Sequence, residues 1–169
     1  YYLDNTPTHS YMKMVYKYPI ASFPYEELIA ENAKRSKTEP EFELIDTGSL
    51  NDNNYFDLFI EYAKITHDDF AIRVTAVNRS HKKAPLVILP TLWYRNNWSW
   101  GYGTYEPSLN SSAKGIINIC HDSLPQKKFY SRHSNVESLF CNNETNPAKI
   151  NTHPSDHKFF KDGINDFIV

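Results

Sequence analysis

The chain has 169 residues, a formal net charge of −2 and an aromatic content of 15 %. This length fits one domain with a sizeable core, and 12 Tyr with 10 Phe argue against disorder over most of the chain. The small net charge, with no block of like charges, argues against a nucleic-acid surface. No apolar run approaches the roughly 20 residues of a membrane helix, so no membrane association is expected.

The first 35 residues have a pattern that predicts two helices. Thr6 is a capping residue, and Pro7 suits the first helical position. Apolar residues then recur at helical spacing, up to Pro19, at Tyr11, Met14, Val15 and Tyr18. A second helix is predicted after Ser22, with acidic residues in its first turn and basic residues in its last. The predicted helical segment is therefore 7–35.

The pattern changes to period two in the region 41–169. Clean alternation predicts that Phe70, Ile72, Val74 and Ala76 point inward from one strand. Strands are predicted at 41–46, 55–65, 70–78, 85–94, 115–121, 127–132 and 136–141, followed by a short helix at 155–162 and a last strand ending at Val169. Sequential strands with hairpin spacing indicate a mainly β fold, an antiparallel β-sandwich with two N-terminal helices, as one domain over 1–169.

The most distinctive segment is 89–103, which contains all three Trp residues and two of the five Gly. Flat aromatic rings beside amides and a guanidinium can stack on sugar faces and bind their hydroxyls. The same rings can instead pack inside the protein or against another domain, and both interpretations stay open. The residues expected to bind sugar or to form a domain interface are Trp93, Arg95, Asn96, Trp98, Trp100 and Tyr102.

The remaining reactive residues predict neither a catalytic centre nor a metal site. Asp57 and Glu61 share a strand face, which allows a pair of carboxylates, although solvated strand charges are commoner. His153 and His157 have the spacing of two helical ligands, but Pro154 lies between them and no third ligand is near. Cys120 and Cys141 lack metal or redox spacing and are expected to be buried free thiols. No cofactor is expected.

Several motifs together resemble a known family. They are the segments 2–13, 16–19, 23–25, 41–48, 55–57, 61–64 and above all 89–101. They resemble the N-terminal domain of microbial proteins similar to glycoside hydrolase family 63, which includes mannosyl-oligosaccharide glucosidase. The resemblance covers most of the chain and is densest up to Gly101. It implies a β-super-sandwich that packs on a C-terminal (α/α)6 barrel, and this barrel carries the two catalytic carboxylates of an inverting mechanism.

The resemblance implies that this chain is an accessory domain of a glucosidase-like hydrolase, without catalytic residues of its own. The alternative is a free-standing carbohydrate-binding module that uses the loop from Trp93 to Tyr102. An independent enzyme would need two facing carboxylates in a cleft. The chain begins with Tyr1 and ends in the apolar Phe167, Ile168 and Val169, which is expected of a segment of a longer protein. A cytoplasmic location is expected.

Overall fold

A computed structural model describes residues 1–103, 105–133, 136–150 and 159–163. Within them the chain is mainly β, with two antiparallel sheets and two helices. The predicted fold class, mainly β with antiparallel sheets, is therefore confirmed. The chain divides into two compact units, Tyr1–Leu86 and Val87–Val169, and each sheet belongs to one unit. None of the helices described in these ranges combines the length and the apolarity that crossing a membrane requires.

The first unit is built on a four-stranded antiparallel sheet. Its strands follow chain order and are β1 (Tyr2–Asn5), β2 (Tyr11–Pro19), β3 (Tyr55–Lys64) and β4 (Phe70–Asn78). The predicted strands 55–65 and 70–78 are thus confirmed, and β2, β3 and β4 pair without a register shift. The turn between β3 and β4 is closed by the Ile65 N–H, which donates to the Asp69 carbonyl at 2.9 Å.

The first predicted helix is wrong, because residues 11–19 form β2. Its apolar residues have helical spacing, but Lys13 and Lys17 also alternate with Met12, Met14 and Tyr16, as in a strand with one apolar face. Tyr and Val favour strands, and β3 offers nine consecutive pairing partners. Pairing across the sheet decides between two patterns that the local sequence satisfies equally well.

The second predicted helix is confirmed as α1 (Tyr25–Lys34), with Glu26 and Glu27 in its first turn and Lys34 in its last. The strand predicted at 41–46 is wrong, because Leu44–Thr47 forms a short 3-10 helix. The side-chain amide of Asn32, on α1, makes two hydrogen bonds with the backbone of Phe42. Its Nδ2 donates to the Phe42 carbonyl at 2.9 Å, and its Oδ1 accepts from the Phe42 N–H at 2.8 Å. These bonds occupy backbone groups that a strand would use for its neighbour.

The second unit contains a three-stranded antiparallel sheet. Its strands are β5 (Ser108–Ala113), β6 (Ile116–Cys120) and β7 (Lys127–Tyr130), and the short α2 (Pro147–Ile150) follows. The predicted strands 115–121 and 127–132 are confirmed as β6 and β7, whereas β5 has no counterpart among the predictions. Gly115, at φ 75°, supplies the left-handed residue of the tight turn between β5 and β6.

Two predicted strands of the second unit are wrong, because residues 85–94 and 136–141 form no strand. In the first, Pro85 and Pro90 lack the N–H that a sheet ladder needs. In the second, nothing explains why the apolar residues around Leu139 stay outside a sheet. Of the predicted helix at 155–162, residues 155–158 lie outside the described residues, and residues 159–162 form no helix, with Phe160 in an isolated bridge to Asn142. The predicted strand ending at Val169 also lies outside the described residues.

The sheet of the first unit has one charged face and one apolar face. Register places Lys13, Lys17, Asp57, Glu61 and Arg73 on the charged face. The opposite face presents only apolar side chains between the rows of Met12 and Tyr16, namely Met12, Met14, Tyr16, Leu58, Ile60, Tyr62, Ile72, Val74 and Ala76. The prediction that Phe70, Ile72, Val74 and Ala76 point inward is wrong, because all four are exposed. Alternation assigns residues to a face, but it does not say whether anything covers that face.

Candidate functional site

The aromatic segment of the second unit forms a turn whose geometry its amides and one glycine determine. The Gly101 N–H donates to the Trp98 carbonyl at 3.1 Å, and the Tyr102 N–H donates to the Asn97 carbonyl at 3.1 Å. Gly101 has φ 75°, which a residue with a side chain adopts only with strain. The turn therefore presents aromatic side chains at alternate positions, 98, 100 and 102, from a hydrogen-bonded backbone.

Two asparagine side chains connect this turn by hydrogen bonds to a segment almost fifty residues further along the chain. Asn96 Nδ2 donates to the Asn143 carbonyl at 3.0 Å, and Asn143 Nδ2 donates to the Tyr94 carbonyl at 2.5 Å. Asn96 Oδ1 also accepts the Ser99 N–H at 3.2 Å. Asn96, predicted to bind sugar or to form a domain interface, holds backbone groups of its own unit in the structure.

The aromatic rings of the turn differ in exposure. Trp93, Trp100 and Tyr102 are 61 %, 69 % and 81 % exposed, and the last two make an edge-to-face pair at 6.3 Å between ring centroids. Trp98 is half-buried, and its indole Nε1 is buried without a hydrogen-bond acceptor among the described residues. Trp93, Trp100 and Tyr102 therefore remain open to an external contact, whereas Trp98 packs inside the unit.

A cavity of about 410 Å³ lies beside the turn, within the second unit. This volume falls within the range of small-molecule sites. Its walls combine rings with hydrogen-bonding groups, and its lining residues are Tyr94, Arg95, Asn97, Gly103, Tyr105, Pro107, His121, Asp122 and Ser123. Such a wall can stack on an apolar sugar face and bind hydroxyls around its edge.

His121 lines this cavity together with two aromatic rings that it contacts. Its ring centroid lies 4.8 Å from that of Tyr94 and 5.7 Å from that of Tyr105. The Ser123 N–H donates to His121 Nδ1 at 3.1 Å. Asp122 Oδ1 also lies 3.1 Å from Nδ1. Burial raises the pKa of the Tyr94 hydroxyl, which stays a neutral hydrogen-bonding group.

A second cavity of about 380 Å³ lies on another side of the turn. Its lining residues are Asn96, Ser99, Trp100, Asn143, Glu144, Thr145 and Lys161. The predicted site residues are therefore divided: Arg95 lines the larger cavity, Asn96 and Trp100 line the smaller one, and Trp93, Trp98 and Tyr102 line neither. Sequence reasoning did not connect His121, Asp122 and Ser123 with the turn, because no local pattern links segments about twenty residues apart.

The two buried carboxylates of the first unit are held by cations. Lys17 Nζ donates to Asp57 Oδ1 at 2.8 Å, and Arg79 Nε donates to Asp57 Oδ2 at 2.7 Å. Burial raises the pKa of Asp57, but these two hydrogen bonds outweigh it and hold the pKa below its usual value. Asp57 therefore stays ionised and fully engaged at neutral pH, which suits a structural charge and not a general acid.

Glu61 has an equivalent arrangement on the same face, as the predicted alternation required. Arg73 binds it with two hydrogen bonds of 2.8 Å, and the Tyr11 hydroxyl donates to Oε1 at 2.7 Å. The hydrogen bonds from Arg73 and Tyr11 lower the pKa of Glu61 to about 2. Neither carboxylate has the raised pKa that an acid catalyst of glycoside hydrolysis needs.

The remaining site predictions concern cysteine and histidine. Cys120 and Cys141 are free thiols, as predicted, but Cys120 is half-buried and Cys141 is exposed, so the prediction that both are buried is wrong. No group of three or more His, Cys, Asp or Glu side chains in the described ranges is arranged to hold a metal ion. His153 and His157 lie outside the described residues.

Comparison with known proteins relates the chain to a much longer one. No family profile and no solved structure matches it. An uncharacterized protein of Saccharomyces cerevisiae is 34 % identical to it over 204 residues. This match covers all of the chain and 19 % of the yeast protein, so the chain spans about a fifth of the length of this relative.

Proposed function

We propose that residues 1–169 are an accessory β-sandwich domain of a larger, glucosidase-like glycoside hydrolase, in which they pack on an (α/α)6 catalytic domain. The exposed apolar face of the four-stranded sheet is the observation that carries this proposal. A large exposed apolar patch would promote aggregation if it stayed uncovered. Such a patch therefore usually marks a surface that contacts another domain or protein. The 19 % coverage of the yeast relative adds support, because that protein is long enough to contain further domains.

In this proposal the chain supplies structure and not catalytic groups. The buried carboxylates Asp57 and Glu61 are each neutralised by cations, so the acid and base of an inverting hydrolysis come from the other domain. Water is the nucleophile and no cofactor takes part. A cytoplasmic location belongs to the same proposal, and the free thiols Cys120 and Cys141 agree with a reducing compartment.

A hydrolysis assay with α-linked gluco-oligosaccharides tests this function. We expect no activity from residues 1–169 alone and activity from the full-length gene product. The variant E61Q in the full-length protein is a control, since it removes a carboxylate without removing the proposed catalytic pair. Hydrolysis by residues 1–169 alone would refute the proposal, and so would an inactive full-length protein that is correctly folded.

The cavity around His121 favours a second candidate function, carbohydrate binding by the chain itself. Arg95 lines this cavity and can donate several hydrogen bonds to hydroxyls of a bound sugar. We expect R95A to weaken binding of an α-linked gluco-oligosaccharide about tenfold, the loss of one charged hydrogen bond. The exposed Arg132 lies outside this cavity, so R132A is the matched control. Calorimetric titration that finds equal affinities for R95A and R132A would exclude this site.

A further inference from the structure

Along its outer side, strand β4 has backbone hydrogen-bonding groups that no other described strand uses. The Arg79 N–H donates to the Tyr55 carbonyl at 3.0 Å. Together with the register of β3 and β4, this bond shows which residues of β4 hydrogen-bond to β3. In an antiparallel pair, alternate residues bond to the neighbouring strand and the residues between them face away. Ile72, Val74 and Ala76 therefore direct their N–H and carbonyl groups away from β3. Among the described residues no strand pairs with β4 on that side.

This edge has none of the features that normally prevent a strand from pairing further. Exposed edges usually contain proline, lysine or a bulge, or are short. β4 has nine residues without Pro or Lys, and it pairs with β3 in unbroken register. Its charged residue, Arg73, is bound to Glu61 on the inner neighbour. An edge of this kind is suited to accept another strand.

The apolar face of the sheet indicates what kind of polypeptide can pair with the outer edge of β4. Ile72 and Val74 are 51 % and 37 % exposed, and Tyr16 on the same face is 50 % exposed. If the β4 strands of two copies paired, the apolar face would become twice as wide and would stay uncovered. An occupant that satisfies both the edge and the face must bring a strand together with a surface that packs on the sheet. The yeast relative, which the chain matches over only 19 % of its length, contains enough additional polypeptide for this.

We infer that β4 accepts a β-strand from the part of a longer polypeptide that lies outside residues 1–169. The inference rests on the proposed larger protein, but it is independent of whether that protein cleaves sugars. Residues directly opposite in neighbouring strands have side chains on the same face. The incoming strand therefore has apolar side chains opposite Ile72, Val74 and Ala76. Opposite Arg73 and Thr75 it has polar, non-cationic residues.

Hydrogen exchange of single amides, in residues 1–169 and in the full-length gene product, tests this inference. The amides of Arg73, Thr75 and Val77 point inward, towards β3, and we expect them to be protected in residues 1–169. The amides of Ile72, Val74 and Ala76 point outward, away from β3, and we expect them to exchange fast. In the full-length protein we expect the outward amides to exchange at least about a hundredfold more slowly. Equal exchange of the outward amides in both proteins would overturn the inference, whether slow because the edge is already covered or fast because nothing covers it.

Two proline variants provide a matched pair. V74P removes an outward N–H, a position at which an edge strand tolerates proline, whereas T75P removes an inward N–H that bonds to β3. In residues 1–169 we expect V74P to leave the amides of Arg73 and Val77 protected and T75P to expose them. In the full-length protein, V74P should accelerate exchange at Ile72 and Ala76 by about tenfold or more. A V74P protein whose outward amides stay as protected as in the wild type would contradict strand addition, and so would dimers of residues 1–169 that V74P dissociates.

Discussion

The substitution D57N tests whether the buried carboxylate of the first unit is a structural charge. Asp57 is 5 % exposed and accepts charged hydrogen bonds of 2.8 Å from Lys17 and 2.7 Å from Arg79. Hydrogen bonds to charged groups contribute about 1.5–3 kcal/mol each. Asparagine keeps one acceptor oxygen, and both cations are partly in water, with side chains 28 % and 45 % exposed. We therefore expect D57N to lower the free energy of unfolding of the first unit by about 2 kcal/mol.

The assay is urea denaturation at pH 7, followed by NMR through the amide signals of β3. The free energy of unfolding falls by about 1–3 kcal/mol per molar urea. A loss of about 2 kcal/mol should therefore lower the urea concentration at the unfolding midpoint by about 1 M. All three Trp residues lie in the second unit, so their fluorescence serves as an internal control that D57N should leave unchanged. The control variant E31Q breaks a pair with Lys34 whose side chains are 37 % and 67 % exposed, and it should leave the midpoint almost unchanged. If D57N and E31Q have the same midpoint, the structural role assigned to Asp57 is wrong.

The pKa of Glu61 predicts acid sensitivity. It lies at about 2 in the folded protein against an ordinary 4.5, so the stabilisation by Glu61 is complete above pH 4.5 and is lost as the pH falls towards 2. Between pH 4.5 and 2, the free energy of unfolding of E61Q should depend less on pH than that of the wild type. If the acid-unfolding curves of E61Q and the wild type coincide, Glu61 is not the cause of the acid sensitivity. Cys141 is exposed and Cys120 is half-buried in β6, so a thiol reagent should label Cys141 first. C141S should abolish the fast phase, and if the fast phase survives in C141S, the exposures given for these thiols are wrong.

Long strands with clean alternation were predictable because their signal is local. Residues 70–78 alternate cleanly, residues 55–65 are rich in strand-favouring aromatic and branched side chains, and the predicted bounds agree closely with β3 and β4. Helix α1 was predictable for the same reason, since its acidic first turn and basic last turn lie within ten residues. By contrast, β2 satisfies both a helical and an alternating pattern, and only its pairing with β3 selects the strand.

The candidate site was predictable only in part. The sequence identified the Trp turn and Arg95, because three Trp residues among amides and glycine are distinctive in any context. It could not place His121 against Tyr94 and Tyr105, or fasten Asn96 to Asn143, because these contacts join segments far apart in the chain.

The sequence by itself determined the mainly β class, the long strands and the one helix whose pattern is unambiguous, since each depends on neighbouring residues. The tertiary structure decided which face of the first sheet carries charge pairs and which stays open to contact. It also decided that Asp57 and Glu61 are held by cations from neighbouring strands. Burial, hydrogen bonding and pKa depend on what surrounds a side chain in space, and alternation along a strand does not contain that information.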